Sequence, residues 1–374
     1  MTENASEFTR GDDAMIVHRS EEMIMVARPA RLAPPLECVR LQDADSGLDG
    51  IIAIHSMALG PGAGGCRFWD YPDIDHAFAD ALRLAEGMSY KNALAGLPFG
   101  GAKAVLRKPR GEFDRGALFR AFGRAVEDLG GRYVTAEDVG TSVADMQAVA
   151  SVSRHVAGLP SAGGRAGGDP SPWTAQGVFE SMQAAARIVL GSELAGLTVA
   201  VQGTGNVGAS LCRRLADAGA RLVIADPSPA RRDRLQAILG ARVVAVEEIA
   251  GVEADIFAPC ALGGALNRDS VGRLKAKLVC GAANNQLARP EIADMLMDHG
   301  IGYAPDYVVN AGGIISVSAE YLGEDATDVA TRVAAIAPRV AALLERAARE
   351  GRSPALVADE MAEEVIAGAQ RVAA

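Results

Sequence analysis

Through the first third of the chain, the apolar positions switch between a period of two and a period near 3.6. The stretches "CVRLQD" (38–43) and "GIIAIHSMAL" (50–59) are predicted strands, separated by the turn-forming "ADSGLD". From Ile74 to about Tyr90, Phe78, Leu82, Leu84 and Ala85 recur on an apolar side, which predicts a helix whose positive end is favoured by Asp75. "AKAVLRK" is a predicted strand, and "EFDRGALFRAFGRAVEDLG" a predicted helix ending at glycine. "RYVTAEDVG" reads as a short strand running into a loop. "TSVADMQAVASVS" reads as a helix N-capped by Thr141 or Ser142.

The pattern changes after "HVAGLPSAGGRAGGDPSP", whose glycines and prolines mark a linker or hinge between His155 and Pro172. Beyond it, "LTVAVQG", "NVGASLCRRLADAG", "RLVIAD", "SPARRDRLQAILG", "ADIFAPCA" and "KLVCGAAN" alternate between strand and helix, as in a doubly wound parallel sheet. Two helical stretches, 326–349 and 354–371, close the chain, interrupted at "GRSP". The expectation is an α/β protein of two domains. One is an α/β domain over 34–160, to which the C-terminal helix, 350–374, is expected to return. The other is a Rossmann domain over 165–349, with a cleft between the two. Residues 1–33 show weak periodicity and are expected to be a partly ordered extension.

Composition narrows the class. A chain of 374 residues is long for a single core, so two domains are the ordinary outcome. A net charge of −10 argues against nucleic acid as a partner and suits small-molecule partners. The five cysteines form no CxxC pair, and the five histidines have no metal-ligand spacing, so no metal is expected and a reducing compartment is the simplest reading. The N-terminal stretch is acidic and lacks an apolar signal core, and no run approaches the ~18 apolar residues of a membrane span. A cytoplasmic protein with no membrane partner is expected.

The strongest generic motif is Gly203-x-Gly205-x-x-Gly208 between an apolar strand and a helix. The first glycine permits the tight turn, the second lets backbone approach a pyrophosphate, and the third lets the helix pack close to the strand. Asp226 ends the next strand, eighteen residues after Gly208. A carboxylate there accepts hydrogen bonds from the adenine-ribose hydroxyls and repels a 2′-phosphate, favouring NAD over NADP. Arg231 and Arg232 nearby pull the other way. The candidate cofactor site is Gly203, Thr204, Gly205, Asn206, Val207, Gly208 and Asp226.

A second feature is the choice of cation. The chain has thirty-two arginines and five lysines, yet places Lys91 and Lys103 within the glycine-rich, apolar "GMSYKNALAGLPFGGAKAVL". An ammonium in such a setting is poorly hydrated, and lysine, unlike arginine, can give up its proton. One of these lysines could exchange protons while the other, kept charged, anchors an acidic substrate; surface lysines at element ends are the plain alternative.

The motifs "ALGPGAGGCRFW", "GMSYKNALAGLPFGGAKAVL", "YVTAEDVGTSVADM", "GDPSPWTAQGVFESMQAA" and "YAPDYVVNAGGIISV" occur in order over roughly residues 36–345. Together they resemble the Glu/Leu/Phe/Val dehydrogenase family, above all its leucine, valine and phenylalanine branch. The resemblance implies that Lys91 binds the substrate carboxylate with help from backbone at Gly64 and Gly65. It implies that Lys103 is the catalytic lysine and Asp138 its partner acid, so that the domain over 34–160 is the substrate-binding and catalytic one and the domain over 165–349 binds NAD. Asn285 would sit near nicotinamide and substrate, and Thr174 would contact the nicotinamide end of the cofactor. Side-chain selectivity would come from Ala63, Ala136, Ile314 and Val317, all apolar and poorly suited to a charged side chain. Trp173 stands where the family pattern leads one to expect a small residue, and the hinge carries extra glycines.

The implied reaction is reversible, NAD-dependent oxidative deamination of a branched-chain or aromatic L-amino acid to the 2-oxo acid and ammonia, by a homo-oligomer. Two rivals stay open at this stage. One is an inactive protein that binds NAD or an amino acid for regulation. The other is a Rossmann dehydrogenase acting on a hydroxy acid, which leaves the paired lysines unexplained.

Overall fold

A computed structural model describes residues 35–160 and 166–373. The expected extension over 1–33 and the middle of the glycine-rich linker lie outside the described residues. The chain forms two compact units. The first runs to Gly168 and includes Glu320–Gly323 and the end of the chain from Glu364; the second comprises Asp169–Ala319 and Glu324–Glu363.

The first unit contains β1 (Glu37–Asp43), β2 (Leu48–Ser56), β3 (Gly62–Ala63), β4 (Cys66–Trp69), α1 (Ile74–Ala95), β5 (Gly100–Arg107), α2 (Arg115–Asp128), β6 (Tyr133–Val134) and α3 (Val143–Ala150). The sheet order is β1-β2-β5-β3-β6, with β4 also paired to β5. The β1–β2 and β2–β5 pairs are antiparallel, whereas β3 and β4 run parallel to β5. Side chains alternate across this sheet. Ala102, Ala104 and Leu106 of β5 join Ile52, Ile54, Phe68, Phe119 and Phe122 in one core layer. Val105 faces the other way, into a layer with Ile51, Ala53 and the α1 residues Ala77, Phe78, Ala81 and Ala85. Lys103 has the parity of Val105, so it emerges on the α1 side.

Helix α1 runs about a turn beyond its predicted end near Tyr90. The polar "YKN" resembles a stop, but Asn92 is fully buried and its Nδ2 donates to the carbonyls of Gly100 (2.6 Å) and Ala63 (3.2 Å). Termination waits for Gly96, which takes the left-handed φ of 67° and returns its N–H to the last turn. Lys91 is therefore inside the helix.

The region after the linker contains α4 (Ser171–Ala185), β7 (Thr198–Gln202), α5 (Asn206–Asp217), β8 (Arg221–Ala225), α6 (Pro229–Leu239), β9 (Arg242–Val243), β10 (Ile256–Pro259), α7 (Arg268–Arg273), β11 (Leu278–Val279), α8 (Ile292–Asp298), β12 (Gly302–Tyr303), α9 (Asp306–Val309), α10 (Gly312–Leu322), α11 (Ala326–Ala334), α12 (Ile336–Glu350) and α13 (Pro354–Ala373); the last residues of α10 and the second half of α13 belong to the first unit. Its sheet is wholly parallel, in the order β12-β11-β10-β7-β8-β9, which is the predicted doubly wound arrangement. The chain reverses its direction of travel between β7 and β10, and the glycine loop leaves β7 at that switch point. The predicted helix over 326–349 is broken at Ala335 because Pro338, lacking an N–H, cannot bond back to Ala334. No helix among the described residues is long and apolar enough to cross a membrane.

Candidate active site

In the first unit, Lys103 and Asp138 come together. Lys103 Nζ lies 2.9 Å from Asp138 Oδ2, with the lysine side chain 6% exposed. Lys103 is fixed by β5, where it opposes Ala53 of β2. Asp138 comes from the loop after β6, and that loop is tied down at several points. The Asp138 N–H donates to Thr141 Oγ1 (2.9 Å), and the Thr141 hydroxyl donates back to the Asp138 carbonyl (2.8 Å). Cys66 and Phe68 of β4 donate their N–H groups to the carbonyls of Ala136 and Val139. Arg115 of α2 grips both carboxylate oxygens of Asp145 and the carbonyl of Gly140.

The cap of α3 is Ser142, whose N–H is accepted by Asp145 (2.7 Å). Asp138 thus has no capping task and is left to face Lys103. Burial would raise its pKa, but Lys103 and then Arg67 outweigh burial and hold it below the ordinary carboxylate value.

The close approach of the loop depends on glycine. A Cβ on Gly65 would stand 2.9 Å from Asp138 Cβ and 2.5 Å from the Glu137 carbonyl. A Cβ on Gly64 would overlap the Ala102 carbonyl and touch Met88 of α1. Lys91 follows Met88 by three residues, on the same side of the helix. The Gly64 N–H is already taken by the Val134 carbonyl (3.1 Å), and its carbonyl accepts from Tyr133 Oη (2.8 Å). In this structure Gly64 contributes space for the close approach of β5 and α1. Ala63 and Ala136 are buried small residues on β3 and in the loop beyond β6.

Arg67 is a candidate site residue that the sequence does not single out. It lies on β4, opposite Val105 of β5, and so shares the α1 side of the sheet with Lys103. Its Nε donates to Asp138 Oδ2 (3.1 Å) and its Nη1 to Asp80 Oδ2 (2.8 Å). The available signal was its placement between inward-facing Cys66 and Phe68, in a motif already quoted for its glycines.

In the second unit, the glycine loop has the geometry a pyrophosphate requires. Gly203 adopts φ 95°, where a Cβ would strike Ala261, and a Cβ on Gly208 would lie 2.1 Å from the Gly203 carbonyl. A Cβ on Gly205, the N-cap of α5, would meet nothing within 4 Å. The fingerprint roles are thus separated: two glycines for backbone packing and one for open space at a helix N-terminus. A cavity of about 360 Å³ opens there, lined by Thr204, Gly205, Asn206, Arg213, Arg231 and Arg234 among others. These residues fit a dinucleotide. Val207 is a partly buried residue in the first turn of α5.

Asp226 is 3% exposed, with Oδ2 accepting from Thr204 N–H (2.7 Å) and Oδ1 from Ser228 N–H (2.8 Å). Burial raises its pKa, but these N–H groups prevail and lower it. In this structure the carboxylate pins the glycine loop, a task the sequence did not reveal. Of the two arginines noted beside it, Arg231 lines the cavity and Arg232 does not.

The remaining candidates also lie in this unit. Thr174 is in the first turn of α4, its hydroxyl donating to the Pro170 carbonyl (3.2 Å). Gly312 and Gly313 let α10 start against it: a Cβ on Gly312 would meet the Trp173 carbonyl at 2.2 Å, and one on Gly313 would meet Thr174 Oγ1 at 2.9 Å. Trp173 therefore sits at a helix–helix contact. Ile314 and Val317, three apart on α10, are both half-buried. Asn285 has φ 51°, the one left-handed non-glycine among the described residues. Its loop is held by Gln286, whose N–H donates to Asp306 and whose side-chain amide donates to the carbonyls of Gly281 and Ala283.

Known proteins share this layout. The family model "Glu/Leu/Phe/Val dehydrogenase, dimerisation domain" matches residues 36–155, and "Glutamate/Leucine/Phenylalanine/Valine dehydrogenase" matches 229–374. A model of F420-dependent NADP oxidoreductases matches 198–259, the stretch holding the glycine loop. Leucine dehydrogenase of Bacillus subtilis is 46% identical, over 88% of this chain and 91% of that protein. Valine dehydrogenase of Streptomyces coelicolor is 47% identical, over 89% of this chain and 93% of its own. The crystal structure of L-tryptophan dehydrogenase from Nostoc punctiforme superposes with a TM-score of 0.80 at 37% identity, covering 90% of this chain and 97% of that one. The motifs, the two folds and these relatives agree, and the chain belongs to the Glu/Leu/Phe/Val dehydrogenase family.

Proposed function

We propose that the protein catalyses the reversible oxidative deamination of an apolar L-amino acid, branched-chain or aromatic, with NAD, yielding the 2-oxo acid and ammonia. As a member of this family the chain is an amino-acid dehydrogenase using a nicotinamide cofactor. The observation that carries the assignment of roles is the contact at 2.9 Å between the buried Lys103 and the half-buried Asp138, a base and an acid of opposite charge type in proton-transfer range.

Lys91 holds the substrate carboxylate. When bound, NAD accepts the hydride from the α-carbon, leaving an imino acid. Lys103, in its neutral form, takes a proton from water as the water adds to the carbon of the protonated imine, giving a carbinolamine and the lysine ammonium. Asp138 then moves protons between the carbinolamine oxygen and nitrogen, so that ammonia departs and the 2-oxo acid forms. Side-chain selectivity is assigned to Ala63 and Ala136 of the first unit and to Ile314 and Val317 of the second, all apolar and with nothing to pair with a charge.

NAD is preferred to NADP on this reading, because an ionised Asp226 fixed by two backbone donors opposes a 2′-phosphate. The arginines of the cavity are exposed and favour the phosphate less firmly. The matched dimerisation-domain model supports a homo-oligomer, and five free cysteines suit the cytoplasm. The test is NADH formation with a panel of L-amino acids, repeated with NADP. Turnover with leucine, valine or an aromatic amino acid, and a lower kcat/KM with NADP, are expected. NAD binding without turnover on any amino acid would overturn the reading.

A further inference from the structure

Asp138 belongs to a chain of alternating charges that crosses three elements. Lys103 of β5 and Arg67 of β4 both address its Oδ2, at 2.9 and 3.1 Å. Behind Arg67 stands Asp80 of α1, 2.8 Å from Nη1. Asp80 in turn accepts from Tyr71 Oη at 2.5 Å and from Arg83 at 2.7 Å. The side chains of Arg67, Asp138 and Asp80 are only 17–19% exposed, so their interactions are weakly screened.

We propose that Arg67 is a positioning residue for Asp138: it holds the carboxylate toward Lys103, and Asp80 holds Arg67 from behind and divides its charge. The inference rests on the proton-transfer roles given to Lys103 and Asp138. The guanidinium geometry supports it, since one planar fork addresses two carboxylates at once, which a lysine ammonium does poorly. Arg67 exists at this point because β4 alternates: Cys66 and Phe68 fill the core layer, and Arg67 is turned to the α1 side.

Other groups near Asp138 do not duplicate this. Cys66 and Tyr133 are fully buried, and burial keeps both neutral. Thr141 bonds the Asp138 backbone rather than its carboxylate, the Val139 N–H is a backbone donor, and Arg115 is committed to Asp145.

Two substitutions with opposite expected signs test the proposal. Arg67→Met removes a cation from Asp138; kcat should fall about tenfold or more, with KM for the amino acid within about threefold. The acid limb of the pH profile should move up by about one unit. Arg67→Lys should recover part of both effects. Asp80→Asn leaves Arg67 and Asp138 in place but commits Arg67 wholly to Asp138, so the acid limb should move down.

A purely structural role would impair both variants without opposite pH shifts. An unmoved limb in Arg67→Met and Asp80→Asn, or equal losses in Arg67→Met and Arg67→Lys, would overturn the proposal. The same opposite shifts should appear in a carbon-13 NMR titration of the Asp138 carboxyl, assigned with Asp138→Asn. That readout needs no turnover, so it still decides the proposal if the wild-type protein oxidises no amino acid.

Discussion

Asp138, half-buried, and Asp226, buried, are both acids held in the ionised form, one in each unit, and they are held in different ways. Asp138 is stabilised first by side-chain cations from β5 and β4, with the Val139 N–H behind them; Asp226 is stabilised first by backbone N–H groups of the glycine loop and of the turn before α6, with Arg231 more distant at 3.9 Å. A side-chain cation can change its partner or give up a proton during a reaction; a backbone donor cannot. The first arrangement suits proton transfer and the second suits holding a binding loop still. A lowered pKa is common to both and separates nothing; the identity of the neighbours does.

The largest effect should come from Lys103→Ala, which removes the movable cation and the proposed base. We expect kcat to fall by roughly 10²–10⁴-fold with little change in KM, measured as steady-state NADH formation. Lys91→Ala should do the reverse. Loss of a charge-assisted contact of about 1.5–3 kcal/mol should raise KM for the amino acid by roughly 10–100-fold while kcat changes less. Exchange of these two patterns would refute the division of labour between the lysines.

The two regions also differ in how much their sequence discloses. The parallel sheet of the second unit was legible because strands covered on both faces read as apolar runs, and because the glycine spacing follows directly after one of them. In the first unit, β3 and β4 are two and four residues long within "GPGAGGCRFW" and exist only through partners distant in sequence, so no local period marks them. Lys103 and Asp138 stood out by residue type and motif. Arg67 did not, being one arginine among thirty-two, and its meaning lies in a pairing with Asp80 and Asp138 that only the fold creates. Asp226 was identified, but its bonds to Thr204 and Ser228 depend on a turn geometry that spacing does not encode.

Asp226→Asn gives a smaller, differently signed test. The isosteric amide can still accept from one N–H but loses charge, so KM for NAD should rise by about tenfold or less, with kcat at saturating NAD preserved. The acid stability should change as well. A carboxylate with a native pKa below its ordinary value of 3.8 contributes stability that is fully present above that value and lost as pH falls through the native pKa. Below about pH 4 the wild type should therefore lose stability more steeply than the variant in urea titrations. Equal slopes would show that Asp226 is not held in the ionised form that separates it from a neutral cap.

The smallest expected effect concerns side-chain choice. Ala63 is 5% exposed, lies on β3 opposite Gly101 of β5, and has its carbonyl tied to Asn92 of α1. Ala63→Leu adds bulk at a position proposed to border the substrate side chain. Because one methylene is worth only ~1–3 kcal/mol in such a pocket, the variant should lower kcat/KM for an aromatic amino acid relative to valine by about tenfold. The competing outcome is overpacking. If Ala63 is merely part of the core, the leucine should lower the melting temperature and reduce activity toward valine and phenylalanine by the same factor. A changed ratio with the melting temperature nearly preserved would place Ala63 at the substrate. An unchanged ratio would move the pocket wall elsewhere, leaving the fixed acid and the movable pair as they are.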